Sequence, residues 1–442
     1  MDKSFKKSVI KIALPVTLQS LLQSSFSVVD QMMIGQLGEN SIAGIGLGGK
    51  FASIYTVVLA AVSSVAGILI SQYMGKKEEE SVSRSFFTSM VLSLALAAVF
   101  FVMCVAFPEM IMGLYTKDEA TKILAVKYIR ILAVSFLPMA VSSMLTTMLR
   151  CMEIAVLPMC ASIFALVLNT GLNYLLIFGK WGFPRMGVEG AAAASVAAQI
   201  VSFGIILVLF FAVFQKEKHL FIRFSQSPDY NRQYIRILCP MLICEFLWSL
   251  GENVYTAVYG NIGTDACAAM TMTVPVQTIV IGALSGLSQA SAILIGKSLG
   301  AGNFDQAYKE SKKLMGYGLL GSVFLSLLLA AFSPFYVRFY QVEPAVQELT
   351  RNLLLVIAVI APVKVMNMIL GGGILRSGGK TEYTMWIDIT GTWVFGVPLG
   401  LLSAFVWKLP VTQVYFILSM EECVRLGISF VLFKKRAWME RL

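Results

Sequence analysis

The sequence predicts an all-α membrane protein of twelve transmembrane helices, arranged as two parallel six-helix repeats. Three observations carry this expectation. Apolar residues make up 57% of the chain and charged residues only 14%, against roughly 25% charged in a soluble globular domain. The apolar residues fall into blocks of about 20 or more, long enough to cross roughly 30 Å of hydrocarbon as helix. Residues 12–75 also align without a gap on residues 237–300, at a constant offset of 225. Pro15 falls on Pro240, Ser24 on Ser249, Gly35 on Gly260, Gly38 on Gly263 and Gly75 on Gly300. Chance identities are common among apolar residues, so the matched prolines and glycines carry the weight.

The blocks place spans at about 9–36, 45–74, 85–107, 121–148, 154–178, 187–214, 233–260, 267–299, 312–333, 345–371, 382–407 and 410–433. Backbone in lipid must satisfy its own hydrogen bonds, so the spans are expected to be helices. The first is too long for a cleavable signal peptide and has no convincing small-residue cleavage site, so it is expected to stay as an anchor. The longest polar stretch follows span six and contains the only histidine, His219. The expected organisation is an N-lobe over 1–215, a cytoplasmic linker over 216–232 and a C-lobe over 233–442. Six spans per half return the chain to its starting side, so the repeats are parallel. Similarity weakens further on: Tyr115 falls on Tyr340, and Leu149-Arg150 on Leu375-Arg376 after a one-residue shift. The last two spans of each half have diverged most.

The net charge of +10 has a topological explanation. With both termini cytoplasmic, the inner side collects Lys6, Lys7, Lys76, Lys77, Lys218, Arg223, Lys309, Lys312, Lys313, Lys434, Lys435 and Arg436. This is the positive-inside bias, and it needs no nucleic-acid partner. The seven scattered cysteines show neither metal spacing nor a disulfide framework, so buried free thiols are expected. One histidine excludes His-based triads and multi-histidine metal sites. No phosphate loop of the form GxxxxGK[ST] is present, which argues against ATP hydrolysis. No enzymatic motif stands out.

Chemistry is expected where ionisable residues interrupt the spans. On span one Gln19, Gln23, Ser27 and Asp30 share one helix face. Asp30 is either a proton or cation site facing a cavity, or an ion near the outer end of the span reaching the interface. On span five Asn169 and Asn173 lie one turn apart, and their amides can coordinate a cation or hydrogen-bond a carboxylate. Ser195, after the small-residue run from Gly187 on span six, is a candidate extra ligand. Span seven carries Glu245 and Glu252, with Ser249 and Thr256 on the same face. Under the 225 offset Asp30 falls on Tyr255, Ser27 on Glu252 and Ser20 on Glu245, so the halves place acid differently. Further on come Lys364, expected to pair with a carboxylate of its own half, and Asp388, an ion-site candidate or a structural partner of Arg376 or Lys380. Glu421, Glu422 and Arg425 cluster on span twelve, with Glu421 and Arg425 spaced for a salt bridge.

The stretch Val29-Asp30-Gln31-Met32-Met33-Ile34-Gly35-Gln36-Leu37-Gly38, with Ile68-Leu69-Ile70-Ser71-Gln72-Tyr73-Met74-Gly75, resembles the multidrug and toxic compound extrusion (MATE) family. So do Leu149-Arg150, Gly187-Val188-Glu189-Gly190-Ala191-Ala192 and Leu375-Arg376-Ser377-Gly378-Gly379. The resemblance covers essentially the whole chain. It implies two six-helix lobes forming a V around a central cavity, and secondary active antiport driven by inward H⁺ or Na⁺. Asp30 matches the family's first-helix aspartate, implicated in cation coupling, and Asn169 an amide of the same site. Asn173 stands where many relatives carry aspartate, and Ser195 where threonine is frequent. Some relatives place a second cation site on a helix-seven glutamate and a helix-ten aspartate. Glu245 matches the first part, while Lys364 and Asn367 occupy the region of the second.

The expectation is therefore a cation-coupled exporter of amphipathic, cationic compounds in the bacterial plasma membrane. It would act as a monomer among membrane lipids, with no cofactor beyond the coupling ion. H⁺ or Na⁺ would bind at Asp30, Asn169 and Asn173, with Ser195 close by. Gln23, Ser27, Glu245, Lys364, Asn367, Asp388 and Glu421 would line the substrate cavity or form a second ion site. A flippase for a lipid-linked or other specific endogenous substrate shares the architecture, and a channel or intramembrane enzyme is the remote alternative.

Overall fold

The computed structural model of the protein describes residues 3–216, 228–338 and 343–442. Most of the expected linker, with Lys218, His219 and Arg223, lies outside the described residues, as does Tyr340 of the weaker repeat match. Among the described residues the regular structure is helical throughout, with no strand.

The first three spans are α1 (Lys3–Ile34), α2 (Glu39–Lys76) and α3 (Glu79–Ala106). A short helix that the hydropathy pattern does not anticipate, α4 (Pro108–Tyr115), precedes the fourth span. That span is α5 (Glu119–Leu132) and α6 (Phe136–Cys151), joined by a 3-10 turn at Ala133–Ser135. The first six close with α7 (Val156–Phe178) and α8 (Gly187–Lys216). The second six begin with α9 (Pro228–Ile262), α10 (Thr264–Gly300) and α11 (Phe304–Arg338). The tenth span, α12 (Pro344–Asn367), continues as π-helix over Met368–Leu375. The eleventh alternates: α13 (Thr381–Asp388), π-helix over Ile389–Gly396, α14 (Val397–Leu401) and π-helix over Leu402–Val406. The twelfth is α15 (Val411–Lys434).

Eleven helices among the described residues are long and apolar enough to cross a membrane. The twelfth, α15, falls on the apolar block at 410–433 and has the length at 24 residues, but carries Glu421, Glu422 and Arg425 in its middle, which keeps it out of those eleven. Local signals set several ends. Asp118 accepts the Thr121 N–H at 2.9 Å and starts α5. Hydrogen bonding from the Thr121 side chain, then from its backbone N–H, holds the exposed Asp118 carboxyl below the usual carboxylate range. Gly179, at φ +66°, ends α7 in the left-handed conformation that favours glycine. Apolar side chains such as Leu320, Phe324, Leu327 and Phe332 on α11 are exposed, as a lipid-facing helix requires.

The chain packs as two compact units. One comprises Leu18–Ile70 and Glu78–Ser227; the other comprises Met1–Thr17, Ser71–Lys77 and Pro228–Leu442. The first is built around Tyr55, whose hydroxyl donates to the Phe136 carbonyl at 2.8 Å and whose ring lies 4.5 Å from that of Phe136. In the second, Tyr255, Tyr259, Leu353, Leu354, Val414 and Leu418 form much of the apolar core.

Specific contacts explain why short pieces of α1 and α2 belong to the second unit. The Thr17 hydroxyl donates to the Ala283 carbonyl at 3.2 Å. The Gln72 amide donates to the Ser377 carbonyl at 2.7 Å. A Cβ added at Gly75 would strike the Lys297 carbonyl, and one added at Gly300 would strike the Gln72 carbonyl. Under the repeat offset Gly75 falls on Gly300 and Gln72 on Lys297. The crossing of α2 and α10 is thus self-complementary, the contact expected across a two-fold axis. It gives the matched glycines a physical reason, since only glycine lets the two backbones approach this closely.

Candidate ion site and buried charge network

In the first unit α7 and α8 pack closely at Gly190, where any Cβ would strike the backbone of Leu176. This close packing brings the Asn169 face of α7 to Ser195 on α8. Asp30 approaches from α1 and is only half-buried. The Asn173 amide donates to Asp30 Oδ1 at 3.1 Å, and the Thr170 hydroxyl reaches the same oxygen at 3.4 Å. With the Asn169 carboxamide turned so that both of its ends are satisfied, its nitrogen donates to Asp30 Oδ2 at 2.9 Å. Its oxygen then accepts the Ser195 backbone N–H at 3.2 Å. No lysine or arginine among the described residues lies within ion-pair distance of Asp30. The carboxylate is therefore held entirely by neutral donors.

Asp30, Asn169 and Asn173 come together, and Ser195 reaches Asn169 through its backbone rather than Asp30 through its hydroxyl. Thr170 is the member sequence reasoning missed. Its only signal is its place beside Asn169, and threonine is too common in helices for that to stand out. Gln23 and Ser27 are exposed and stay outside the cluster. Gln19, from the same stripe, is structural: its amide donates to Ser162 at 2.8 Å and accepts from Arg150 at 3.0 Å. An apolar layer of Ile45, Ile177, Val188 and Ala191, with Met33, Leu37 and Tyr128 against it, packs where α1, α2, α5, α7 and α8 meet.

Hard oxygen ligands such as a carboxylate and amide carbonyls suit Na⁺ as well as a proton. Here, however, both carboxylate oxygens already accept N–H or O–H donors. The Asn173 Oδ1 is a buried oxygen without a partner. A Na⁺ ion would need the amides turned to present oxygen, whereas a proton would not.

The second unit holds a longer network. Arg376 pairs with Glu245 at 3.1 Å and donates to Cys244 Sγ at 3.4 Å. The Cys244 thiol donates to Asp388 Oδ2 at 2.7 Å. Arg425 lies 3.6 Å from Asp388 and 3.8 Å from Glu421, and also donates to the Thr392 hydroxyl. The Tyr255 hydroxyl donates to Glu421. The Asn367 amide donates to Glu422 Oε2 at 2.8 Å and to its carbonyl at 2.7 Å. Glycines make room for these groups: a Cβ at Gly391 would strike Arg425, and one at Gly396 would strike Glu421 and Tyr255.

Several expectations are corrected here. Asp388 pairs with Arg425, not with Arg376 or Lys380. Arg376 is taken by Glu245, and Lys380 reaches Glu440 at 3.7 Å. Arg425 lies on α15, a different helix from Asp388, so no spacing along one helix points to this pair. Among the described residues Lys364 has no carboxylate within ion-pair distance; Glu421 and Glu422 are held by other partners. All seven cysteines are free, but Cys160, Cys239, Cys267 and Cys423 are exposed rather than buried. Tyr255 and Thr392 are network members the sequence did not reveal; their hydroxyls become meaningful only beside Glu421 and Arg425.

The MatE family model matches residues 15–175 and 240–402, one stretch in each half. The uncharacterized transporter YisQ of Bacillus subtilis (strain 168) is 22% identical over 444 residues, covering 100% of this chain and 96% of the relative. A protein named probable multidrug resistance protein NorM, from Thermotoga maritima, is 23% identical over 439 residues, covering 99% and 94%. Among solved structures, a MATE protein in complex with MaL6 superposes with a TM-score of 0.89 at 18% identity, covering 98% of this chain and 96% of that one. An outward-facing multidrug resistance MATE family transporter of the MOP superfamily superposes with a TM-score of 0.88 at 19% identity and the same coverage. At these identities the superpositions establish the fold. The family model spans most of both halves, and this chain belongs to the MatE family, the multidrug and toxic compound extrusion transporters.

Proposed function

We propose that the chain is a secondary active antiporter that exports amphipathic organic compounds bearing positive charge, in exchange for an inward-moving cation. The observation that carries this reading is the Asp30 carboxylate, placed in a membrane-spanning helix with neutral donors only. A carboxylate there is costly without a countercharge, so a mobile cation completes the site. H⁺ is the coupling ion in this reading, because the amide nitrogens already face the carboxylate; Na⁺ is the alternative. Names of relatives as multidrug resistance proteins support organic compounds as cargo. The distribution of lysine and arginine supports both termini on the cytoplasmic side of the plasma membrane, and a monomer suffices for the proposed cycle.

Coupling requires each ligand to prefer a different state of the transporter. Cation binding at Asp30 would favour the state that releases substrate outside, and substrate binding from the cytoplasm would reverse the bias. The test is efflux of a fluorescent organic cation from vesicles holding the purified protein, under an imposed pH or Na⁺ gradient. The expected result is efflux driven by the pH gradient and lost in Asp30→Asn. Gradient-driven efflux that survives in Asp30→Asn removes Asp30 from coupling. Drive by a Na⁺ gradient alone replaces H⁺ with Na⁺. Binding of a polyprenyl-phosphate lipid, with no response to organic cations, replaces the drug reading with that of a lipid flippase.

A further inference from the structure

Beyond α15 the chain folds back onto the second unit. Arg436 adopts φ +54°, the left-handed conformation that is costly for a residue with a Cβ. Its side chain holds the turn: the guanidinium lies 2.8 Å from Asp305 Oδ1 and 4.4 Å from the centre of the Tyr308 ring. Trp438 follows and is fully buried. Its ring stacks on Phe433 at 5.9 Å, and Phe433 stacks on Tyr308 at 4.8 Å. A Cβ at Gly378 would strike the Trp438 carbonyl, so glycine in the turn before α13 admits the segment. Lys380 Nζ donates to the Ala437 carbonyl at 3.0 Å, and Arg441 Nε donates to the Gly300 carbonyl at 3.0 Å.

The same segment closes on Gln72, a fully buried residue near the end of α2. The Gln72 nitrogen donates to the Ser377 carbonyl at 2.7 Å and to the Glu440 carbonyl at 3.2 Å. Its oxygen accepts the Leu442 N–H at 2.9 Å. Both ends of the carboxamide are therefore bonded to main chain outside α2. The place is a particular one, because α2 lies in the first unit as far as Ile70 and only Ser71–Lys77 belongs to the second. Under the repeat offset Gln72 falls on Lys297, whose ammonium only donates and could not take the Leu442 N–H. The two-fold match of the α2–α10 crossing ends at this side chain.

We propose that residues 436–442 are a strap that clamps the end of α2 to the second unit, with Gln72 as the positioning residue it holds. The rest of α2 belongs to the first unit, which contains Asp30. A held end lets α2 carry a change begun by cation binding at Asp30 into the second unit, whereas a frayed end absorbs it. This role in transport rests on the antiport reading above; the clamp itself does not.

The test releases the strap in the full-length protein. Trp438→Ala removes the buried stack, and Trp438→Phe keeps an aromatic ring in its place. Amide hydrogen exchange of the purified protein in nanodiscs, with no gradient, reads the anchoring. Trp438→Ala is expected to speed exchange across 71–77 about tenfold, the scale of one or two lost hydrogen bonds. Exchange around Tyr55 should not change, and Trp438→Phe should stay near wild type. If Trp438→Ala also loses protection around Tyr55, the double variant Arg436→Ala/Arg441→Ala, which alters exposed side chains only, takes its place. In vesicles under a pH gradient the released variant should export a fluorescent organic cation about tenfold more slowly, with affinity for that cation within about twofold of wild type. Unchanged exchange across 71–77 overturns the clamp. Faster exchange with undiminished efflux overturns the proposal, and so does cation binding that weakens in step with efflux, which assigns the segment to support of the substrate site. Faster exchange in the variant, beside a wild type without gradient-driven efflux, overturns the antiport reading alone.

Discussion

Asp30 and Glu421 are both carboxylates set in membrane-spanning helices, but their surroundings differ in kind. Asp30 sits among regular α-helices and takes its hydrogen bonds from two amides and a hydroxyl. Glu421 sits in a unit interrupted by three π-helical stretches. It belongs to a network with Arg425, Asp388, Cys244, Arg376 and Glu245. A carboxylate bonded by neutral groups can gain or lose a cation while its neighbours keep their places. A carboxylate tied to arginine loses an ion-pair contact when it changes charge, which disturbs the whole network around that arginine. The repeat therefore supplies one scaffold with two electrostatic designs, one suited to exchanging an ion and one suited to holding helices together.

The largest expected effect breaks the second design. Arg425→Met leaves Asp388 and Glu421 without their cation, and losing one partner of a buried ion pair costs about 3–5 kcal/mol. Thermal unfolding in detergent should show a large drop for this variant. Asp30→Asn sharpens the contrast from the other side. It should shift thermal unfolding little, by less than about 1 kcal/mol for a neutral, similarly shaped replacement. Gradient-driven efflux should nevertheless fall by roughly ten- to a hundredfold, the range of a typical coupling free energy. Should Asp30→Asn destabilise the protein as much as Arg425→Met, the distinction between the two designs is wrong.

Two smaller effects probe how tightly each design is built. Gly396→Ala places a methyl group where Glu421 and Tyr255 meet, and such overpacking costs about 1–3 kcal/mol. The same thermal assay should register it, and an unchanged unfolding temperature would mean that the network adjusts freely. Thr170→Val removes the longest of the bonds to Asp30, worth about 0.5–1.5 kcal/mol. It should alter efflux by less than tenfold and leave unfolding nearly unchanged. A loss as great as that of Asp30→Asn would make the Thr170 hydroxyl essential rather than supporting.

How far the sequence reveals each region follows from local physics. Asn169 and Asn173 are readable as a pair because one turn of a regular helix puts them on one face, and Asp30 is readable because acid is rare in a span. Thr170 is not, since nothing in its residue type separates it from an ordinary helical threonine. In the second half, the spacing of Glu421 and Arg425 suggests their pairing, which the structure places at 3.8 Å. The partner of Asp388 escapes notice because Arg425 lies on another helix, 37 positions on, and only the packing of α15 against the eleventh span brings the two together. The twelfth helix is legible as an apolar block at 410–433, but how its three central charges are neutralised is not, because their partners lie on other helices.

Hydrophobic runs, glycines and prolines were enough by themselves to determine the all-helical architecture, the repeat and the candidate acid on α1. Each of these is a property of a single helix or of two segments compared in register. Tertiary structure alone decided that Gly75 and Gly300 exist to let α2 and α10 cross, which arginine serves which carboxylate, and that among the described residues Lys364 is left without one. Those outcomes depend on helix tilt and on distances of a few ångströms between side chains far apart in the chain, and no local pattern records them.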